Sequence, residues 1–379
     1  MADRERDYIA RLAPSVGSVD PIQWDALAGH DPFTSHAFLT LLEQSYSVGS
    51  SSGWSPAPIL VDAADGSLAA AAPAYLKSHS QGEYVFDHGW AEAWQRAGGD
   101  YYPKLQIAVP FTPVPGRRLL GEPRAVLIEA AEAIVTQNRL SSAHATFITP
   151  GEVAEFNAAR WLIRDGIQYH WFNRGYASFD DFLSQLASRK RKAIRKERSA
   201  ARDGLEFVAR RGSEIGRAEW GAMWRFYQDT GSRKWGRPYL TRAFFDGLGN
   251  ALGDQVLLLL ALRNGRPIAG ALNLIGADTL FGRYWGCSEE VPFLHFELSY
   301  YQAIEWGIAN GLASVQAGAQ GEHKLARGYE PVVTQSAHFL PNSEFRHAVG
   351  KFVDSERAAV AQELGALREM LPYRRSGSE

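Results

Sequence analysis

The chain has 379 residues, 45% of them apolar, with a formal net charge of -2. That length exceeds what one hydrophobic core usually serves, so two domains are expected, and the near-neutral charge excludes a surface that is basic throughout. A single cysteine, Cys287, excludes an intrachain disulfide and a multi-cysteine zinc cluster. With no apolar run long enough to span a bilayer and a charged N-terminal stretch, a cytoplasmic protein without an integral membrane segment is expected.

In chain order, a Trp24-containing turn leads to a helix whose Phe38, Leu41 and Leu42 recur at helical spacing. Two strands, Pro58 to Val61 and Leu68 to Leu76, flank an Asp65-Gly66 turn and read as a hairpin. Gly98 to Pro115 supplies a strand closed by prolines at 110, 113 and 115, and Arg124 to Gln137 is a helix. A strand at Ala145 to Thr149, a helix from Pro150 and a strand at Gln168 to Phe172 complete the first half. From Ser178 the pattern restarts with a long helix, a strand at Leu205 to Arg210, helices at Arg217 to Asp229 and Thr241 to Leu248, and strands at Val256 to Arg263 and Pro267 to Ile275 joined by Asn264-Gly265. A strand from Thr279 to Gly286, a helix from Phe293 to Asn310, and strands at Ser314 to Ala317 and Val332 to Leu340 follow. Both halves thus read as mixed α/β (α+β) domains, 1–175 and 176–379, with the boundary near Tyr176.

The densest chemistry lies in Gly318-Ala-Gln-Gly-Glu-His-Lys-Leu-Ala-Arg-Gly-Tyr-Glu-Pro331. Ionised groups are costly to bury unless paired, so Glu322, His323, Lys324 and Arg327 belong to a network, a ligand site or a solvated turn. Their place between two strands suits a ligand-binding loop. Arg189-Lys-Arg-Lys-Ala-Ile-Arg-Lys-Glu-Arg198 and Arg202 hold eight basic residues and one acid. Helical phasing puts Arg191, Arg195, Arg198 and Arg202 on one face, suited to the phosphates of a nucleotide cofactor or RNA; a solvated face is the competing reading. Gly231 to Tyr239 combines cations with Trp235 and Tyr239, so that Trp235, Arg237 and Tyr239 are candidate substrate contacts by stacking and charge. Along Thr279 to Gly286, two-residue alternation puts Phe281, Arg283 and Trp285 on one face. His295 and Glu297 are further proton-acceptor candidates, while Cys287 reads as a small packed residue at a strand end. In the first half, Asp87-His-Gly-Trp90 and Tyr101 to Gln106 place His88 and Lys104 among aromatics.

Taken together, Asp87-His-Gly-Trp90, Asp100-Tyr-Tyr-Pro-Lys-Leu-Gln-Ile-Ala-Val-Pro-Phe-Thr-Pro-Val114, the Arg189 to Arg198 run, Lys234-Trp-Gly-Arg-Pro-Tyr239, Gly282-Arg-Tyr-Trp-Gly-Cys287 and Gln320 to Tyr329 resemble the bacterial FemAB-like family of peptidoglycan biosynthesis/recognition proteins. The motifs occur in order over nearly the whole chain. The resemblance implies two GNAT-like (acyl-CoA N-acyltransferase-like) domains and amide-forming transfer of an acyl or aminoacyl group to an amine, the acceptor being a small molecule or a cell-wall precursor. The co-substrate would be acyl-CoA or aminoacyl-tRNA, with no tightly bound cofactor and no metal. Two departures stand out. The GNAT pyrophosphate-binding pattern is absent, which weighs against acyl-CoA, and the long helical arm of some Fem enzymes is also absent, which bears on tRNA engagement. Within that reaction, Glu322 or His323 would take the proton, and Lys324 and Arg327 would hold an anionic group. Arg237 and Arg283, with Trp235, Tyr239 and Trp285, would orient substrate together with His88 and Lys104, and Arg191, Arg195 and Arg198 would hold donor phosphates. A non-catalytic module binding RNA or a cell-wall precursor is the alternative.

Overall fold

The computed structural model describes residues 8–234, 238–318 and 321–374. Two compact units emerge, 1–166 with 333–361 and 167–332 with 362–379. The chain passes between them three times, so the units are not the two sequence halves that a single boundary near Tyr176 delimits.

Unit 1 opens with β1 (Ile9–Leu12), and the expected turn at Trp24 is instead a helix, α1 (Pro21–Ala28). Asp20 accepts the Gln23 N–H as its N-cap and Pro21 occupies the first turn, where a missing donor costs nothing. Helix α2 (His36–Gln44), capped by Ser35, follows as the Phe38 and Leu42 spacing predicts. Strands β2 (Trp54–Pro56), β3 (Ile59–Asp62), β4 (Leu68–Ala72) and β5 (Ala74–Lys77) come next. The run expected as one strand from Leu68 to Leu76 breaks at Pro73, which has no N–H for a ladder. In consequence β4 pairs with β3 in a four-stranded sheet, while β5 pairs with β2 and with β6 (Lys104–Ile107) in another. Helix α3 (His88–Arg96), β7 (Leu120–Gly121), α4 (Arg124–Gln137), β8 (Ala143–Ile148) and α5 (Pro150–Ala158) complete this part. The core lies between α4 and the apolar sides of β3, β6 and β8, with Leu105, Ile107, Leu127, Ala143 and Phe156 fully enclosed.

Glu152, on the first turn of α5 and 1% exposed, accepts hydrogen bonds from the backbone N–H of Arg118, Leu119 and Thr149 and from the Thr149 hydroxyl at 2.5, 2.6, 2.8 and 2.8 Å. One carboxylate therefore closes the helix N-terminus and anchors the 114–119 segment.

Unit 2 begins in β9 (Leu162–Phe172), which starts in unit 1 and is longer than expected at its N-terminal end. The helix expected from Ser178 is two: α6 (Phe179–Ser184) and α7 (Ser188–Arg202). Then come β10 (Glu206–Arg211), α8 (Arg217–Lys234), α9 (Arg242–Leu252), β11 (Val256–Arg263), β12 (Arg266–Ile275) and β13 (Thr279–Cys287). Asn264 and Gly265 both have positive φ, as a tight two-residue hairpin requires. Helix α10 is continuous from Leu294–Phe296 through a π-helical turn, Glu297–Tyr301, to Gln302–Ala309. Short β14 (Ser314–Gln316) lies between β13 and β9, and β15 (Glu330–Phe339) leads back to unit 1, where it pairs with β8. Helix α11 (Ser343–Glu369) buries Phe345, Val349, Val353, Leu364 and Leu367 at helical spacing. The unit 2 core gathers Trp171, Phe182, Leu257, Leu280, Tyr301, Ile304 and Val315.

The opposite face of the β5–β6–β8–β15 sheet in unit 1 is polar and yet enclosed. Lys77, Lys104, Gln106, His144 and His338 are each at most 2% exposed. Lys104 Nζ donates to Asp87 Oδ2 at 2.5 Å, Glu83 Oε2 at 2.7 Å and Ser80 at 2.8 Å. Burial alone would raise the Asp87 carboxyl, but Lys104 and His144 hold it well below the usual range. The His144 and His338 rings meet Nδ1 to Nδ1 at 2.7 Å, and their Nε2 atoms meet Ser142 and Ser336 at 2.8 and 2.9 Å. Burial, with Lys104 nearby, drives His144 down to about 3; burial and its imidazole neighbour drive His338 well below its ordinary value.

Glu152→Ala leaves the buried amides of Arg118 and Leu119 and the half-buried amide of Thr149 without this acceptor and should lower stability by about 3 kcal/mol, read from the urea midpoint. A histidine pKa lower in the folded chain means that the folded state binds fewer protons, so this pair destabilises the fold as pH drops below about 6.5 toward 3. His338→Gln should therefore show a shallower loss of urea midpoint between pH 6.5 and 4 than wild type; parallel losses would contradict the assignment.

Candidate functional site

The site in unit 2 starts where β14 ends. Strands β13 and β14 run parallel but pair over only three positions, Thr279–Phe281 with Ser314–Gln316. Beyond Gln316 the chain leaves the sheet as a loop that carries a six-residue 3-10 helix, Glu322–Arg327. Loops at the C-terminal ends of parallel strands are where α/β folds place ligands. Gly328 closes the turn at φ 87°, and an added Cβ there would lie 2.6 Å from the Phe182 ring, so only glycine lets the loop seat on the core.

Lys324 is 1% exposed, and its Nζ donates to the Gly318 carbonyl at 2.7 Å. Burial lowers its pKa to about 7. His170 of β9 is buried too, and enclosure with Lys324 nearby lowers it to about 4, so its ring is neutral at physiological pH. His323 is exposed and meets the Tyr300 hydroxyl through Nε2 at 2.8 Å. Burial raises Tyr300, so this phenol keeps its proton. Arg327 is 6% exposed, stacks 3.5 Å above the Phe296 ring and donates to both oxygens of Glu197 at 3.0 and 2.9 Å. The Tyr301 hydroxyl donates to the same carboxylate. Glu322 is exposed, and its charge raises Tyr169 slightly beyond what burial does.

Within the π-helical turn Glu297, Tyr300 and Tyr301, at i, i+3 and i+4, all lie on the buried side of α10. Glu297, fully enclosed, accepts from Arg198 Nε and Nη2 at 3.1 and 3.0 Å and from Arg202 Nε at 2.8 Å. It is therefore a counter-ion and not a proton acceptor. Burial raises its carboxyl while Arg202 pulls the other way.

This alters the arginine face read from the sequence. Arg198 lies on the packing stripe with Ile194 and Ala201 and lies over the Phe179 ring at 4.2 Å, because its buried charge is neutralised by Glu297. Arg195 pairs with Asp180 at 3.0 Å on the exposed side, and Arg191 reaches the Ser184 carbonyl at 3.4 Å. The exposed cations of α7 are Arg189, Lys190, Lys192, Arg195, Lys196 and Arg202, of which Arg202 is held by Glu297.

The other candidates are dispersed. Trp235 and Arg237 lie outside the described residues, and Tyr239 is half-buried just before α9. A register shift in β13 after Gly282 interrupts the expected alternation. Trp285 then packs on the unit 2 core, 5.0 Å from the His295 ring, while Tyr284 packs on Tyr227 at 5.1 Å with the Arg283 guanidinium 5.3 Å from its ring. Cys287 packs at the edge of the same core. His88 and Lys104 belong to unit 1; His88 is exposed beside Phe86, and Lys104 is fully enclosed in the charge cluster described above. Among the residues that sequence reasoning did not single out, Glu197 is the lone acid in a basic run. Tyr300 and Phe296 read as ordinary core positions of a helix, and His170 and Gln316 carry no local signal.

A family model described as peptidoglycan biosynthesis/recognition, FemAB-like, matches residues 15–375. No curated protein matches the chain. Among solved structures, FemX superposes with a TM-score of 0.53 at 11% identity, covering 91% of this chain and 100% of that chain. L-PGS from Bacillus licheniformis gives 0.51 at 11%, with 91% and 98% covered. A conserved protein of unknown function from Bacteroides thetaiotaomicron gives 0.51 at 12%, with 88% and 100% covered. These likenesses show the fold, a mixed α/β chain with two GNAT-like domains. The match over residues 15–375 makes the chain a member of the FemAB-like peptidoglycan biosynthesis/recognition family.

Proposed function

We propose that this protein transfers an acyl or aminoacyl group from an activated ester or thioester to an amine, forming an amide. The observation that carries this reading is the buried Lys324 ammonium on the loop that follows β14, with the neighbouring residue His323 paired to Tyr300. The amine lone pair attacks the acyl carbon, a C–N bond forms, and the carbonyl electron pair moves to oxygen. Lys324 Nζ donates to that oxyanion in a place from which water is largely excluded, where a fixed charge is worth most. His323 takes the proton from the attacking nitrogen, with Tyr300 orienting its ring through Nε2, and returns it to the departing oxygen or sulfur as the C–O or C–S bond breaks. Arg327, held by Glu197, fixes the loop; Glu322 at the loop's exposed edge and Arg283, Trp285 and Tyr239 are offered as substrate contacts, with Trp235 and Arg237.

The exposed cations of α7 from Arg189 to Lys196, Arg195 among them, with the half-buried Arg191, suit donor phosphates, now without Arg198. Aminoacyl-tRNA and acyl-CoA both carry them, and the family description favours an amine of a cell-wall precursor as acceptor. His88 and Lys104 remain proposed contacts in unit 1, Lys104 acting through its carboxylate partners.

The test is a single-turnover transfer assay with aminoacyl-tRNA and acyl-CoA donors and a panel of amine acceptors. Lys324→Met should reduce the transfer rate about 100-fold or more, the usual effect of removing an oxyanion donor. A lysine needed as the cation and titrating near 7 gives a kcat/KM that falls as pH rises through 7. Lys324→Arg should flatten that alkaline limb. Saturable binding without turnover of any donor would instead support a non-catalytic binding module.

A further inference from the structure

Gln316 is the last residue of β14, directly opposite His170 of β9 in the antiparallel ladder. Cross-strand partners project to the same face, so the two side chains are neighbours. Lys324 faces this pair: its charge acts on His170, and its Nζ bonds the Gly318 carbonyl two residues beyond Gln316. The Gln316 Oε1 atom is enclosed and has no hydrogen-bond partner. Lys324 Nζ, with three N–H groups, makes one hydrogen bond among the described residues.

A buried acceptor without a donor is costly, and so is a buried ammonium with unused donors. Here such an acceptor and such an ammonium belong to the same stretch of chain, with no hydrogen bond between them. A ligand that satisfies both presents an oxygen acceptor and an adjacent N–H, which is the pattern of an amide or of the tetrahedral adduct that precedes it. We propose that Gln316 Oε1 accepts the N–H of the attacking amine while Lys324 holds the acyl oxygen, with His170 fixing the Gln316 side chain from the neighbouring strand. This inference rests on the transferase reading above and names the part of the substrate that the site reads. With an N–H held by Gln316, the nitrogen lone pair is directed at the acyl carbon, so the residue orients the nucleophile without taking its proton. The site thereby selects an amine over an alcohol as acceptor, since a hydroxyl that has lost its only proton leaves Gln316 without a donor.

The probes are N-acetylglycinamide and its ester counterpart O-acetylglycolamide, which differ only in an N–H replaced by oxygen. Their dissociation constants are measured by ligand-observed NMR on the full-length protein. Wild type should bind the amide about tenfold more tightly, the equivalent of about 1.4 kcal/mol. Gln316→Leu should lose that preference with ester affinity unchanged, Gln316→Glu should keep it, and Lys324→Met should weaken both probes. A preference that persists in Gln316→Leu, or is absent in wild type while Lys324→Met still weakens binding, overturns the role of Gln316 and leaves the transferase site standing. Failure of either probe to bind wild type, or binding indifferent to Lys324→Met, overturns both.

Discussion

The Glu197 carboxylate holds the candidate site together. It receives both Nη2 contacts of Arg327 and the Tyr301 hydroxyl, and so ties α7, the π-helical turn of α10 and the loop after β14 to one point. The pair is largely enclosed, with Arg327 flat on Phe296, so little water competes for it. Removing one partner would leave the other charge buried, which costs far more than an exposed ion pair contributes. Helix α7 is fixed to α10 a second time where the adjacent Arg198, with Arg202, meets Glu297. Both carboxylates position cations that would otherwise repel one another along α7.

Placing Lys324 in such surroundings has a consequence for function. Its charge has no carboxylate at hydrogen-bonding distance among the described residues, and desolvation brings its proton affinity close to neutrality. An ammonium in that condition gains most when a negative oxygen develops beside it, which is what a tetrahedral acyl adduct supplies. Unit 1 shows the contrasting arrangement. Lys104 is equally enclosed but surrounded by Glu83 and Asp87, which raise its affinity for the proton above the ordinary value against the effect of burial. Lys77, equally enclosed, is also lowered to about 7, but its Nζ lies 3.8 Å from Glu83 and over the Trp54 ring. The lack of a carboxylate partner among the described residues, and not burial or a lowered proton affinity by itself, singles out Lys324 for the proposed role.

Most of the fold was legible in the sequence because its elements follow local rules. Arg124–Gln137 and Val256–Arg263 have the expected bounds, and Asn264-Gly265 makes the expected turn. The failures arise where tertiary context overrides those rules. Pro73 sends a continuous apolar run into two sheets, and a register shift in β13 separates Trp285 from the alternation it was read in. The charged loop was legible as a site because Glu322 to Arg327 is hard to reconcile with a plain core. The partners that give it chemical meaning were not. Arg198 looked like one more phosphate-binding cation until Glu297 was placed beside it, and helical phasing turns Tyr300 and Tyr301 inward without reporting that Tyr301 and Arg327 meet on Glu197. His170 and Gln316 come together only through strand pairing, which no local pattern reports.

The most direct test of this account is the protonation of Lys324 itself. Lysines labelled with 13C at Cε can be followed by NMR across pH, with the Lys324 resonance assigned by its absence in Lys324→Arg protein. The account predicts a midpoint near 7 in the ligand-free protein. A midpoint near the ordinary value of about 10.5 would show that this ammonium is solvated or already paired, and would contradict its role as the charge that waits for the acyl oxygen.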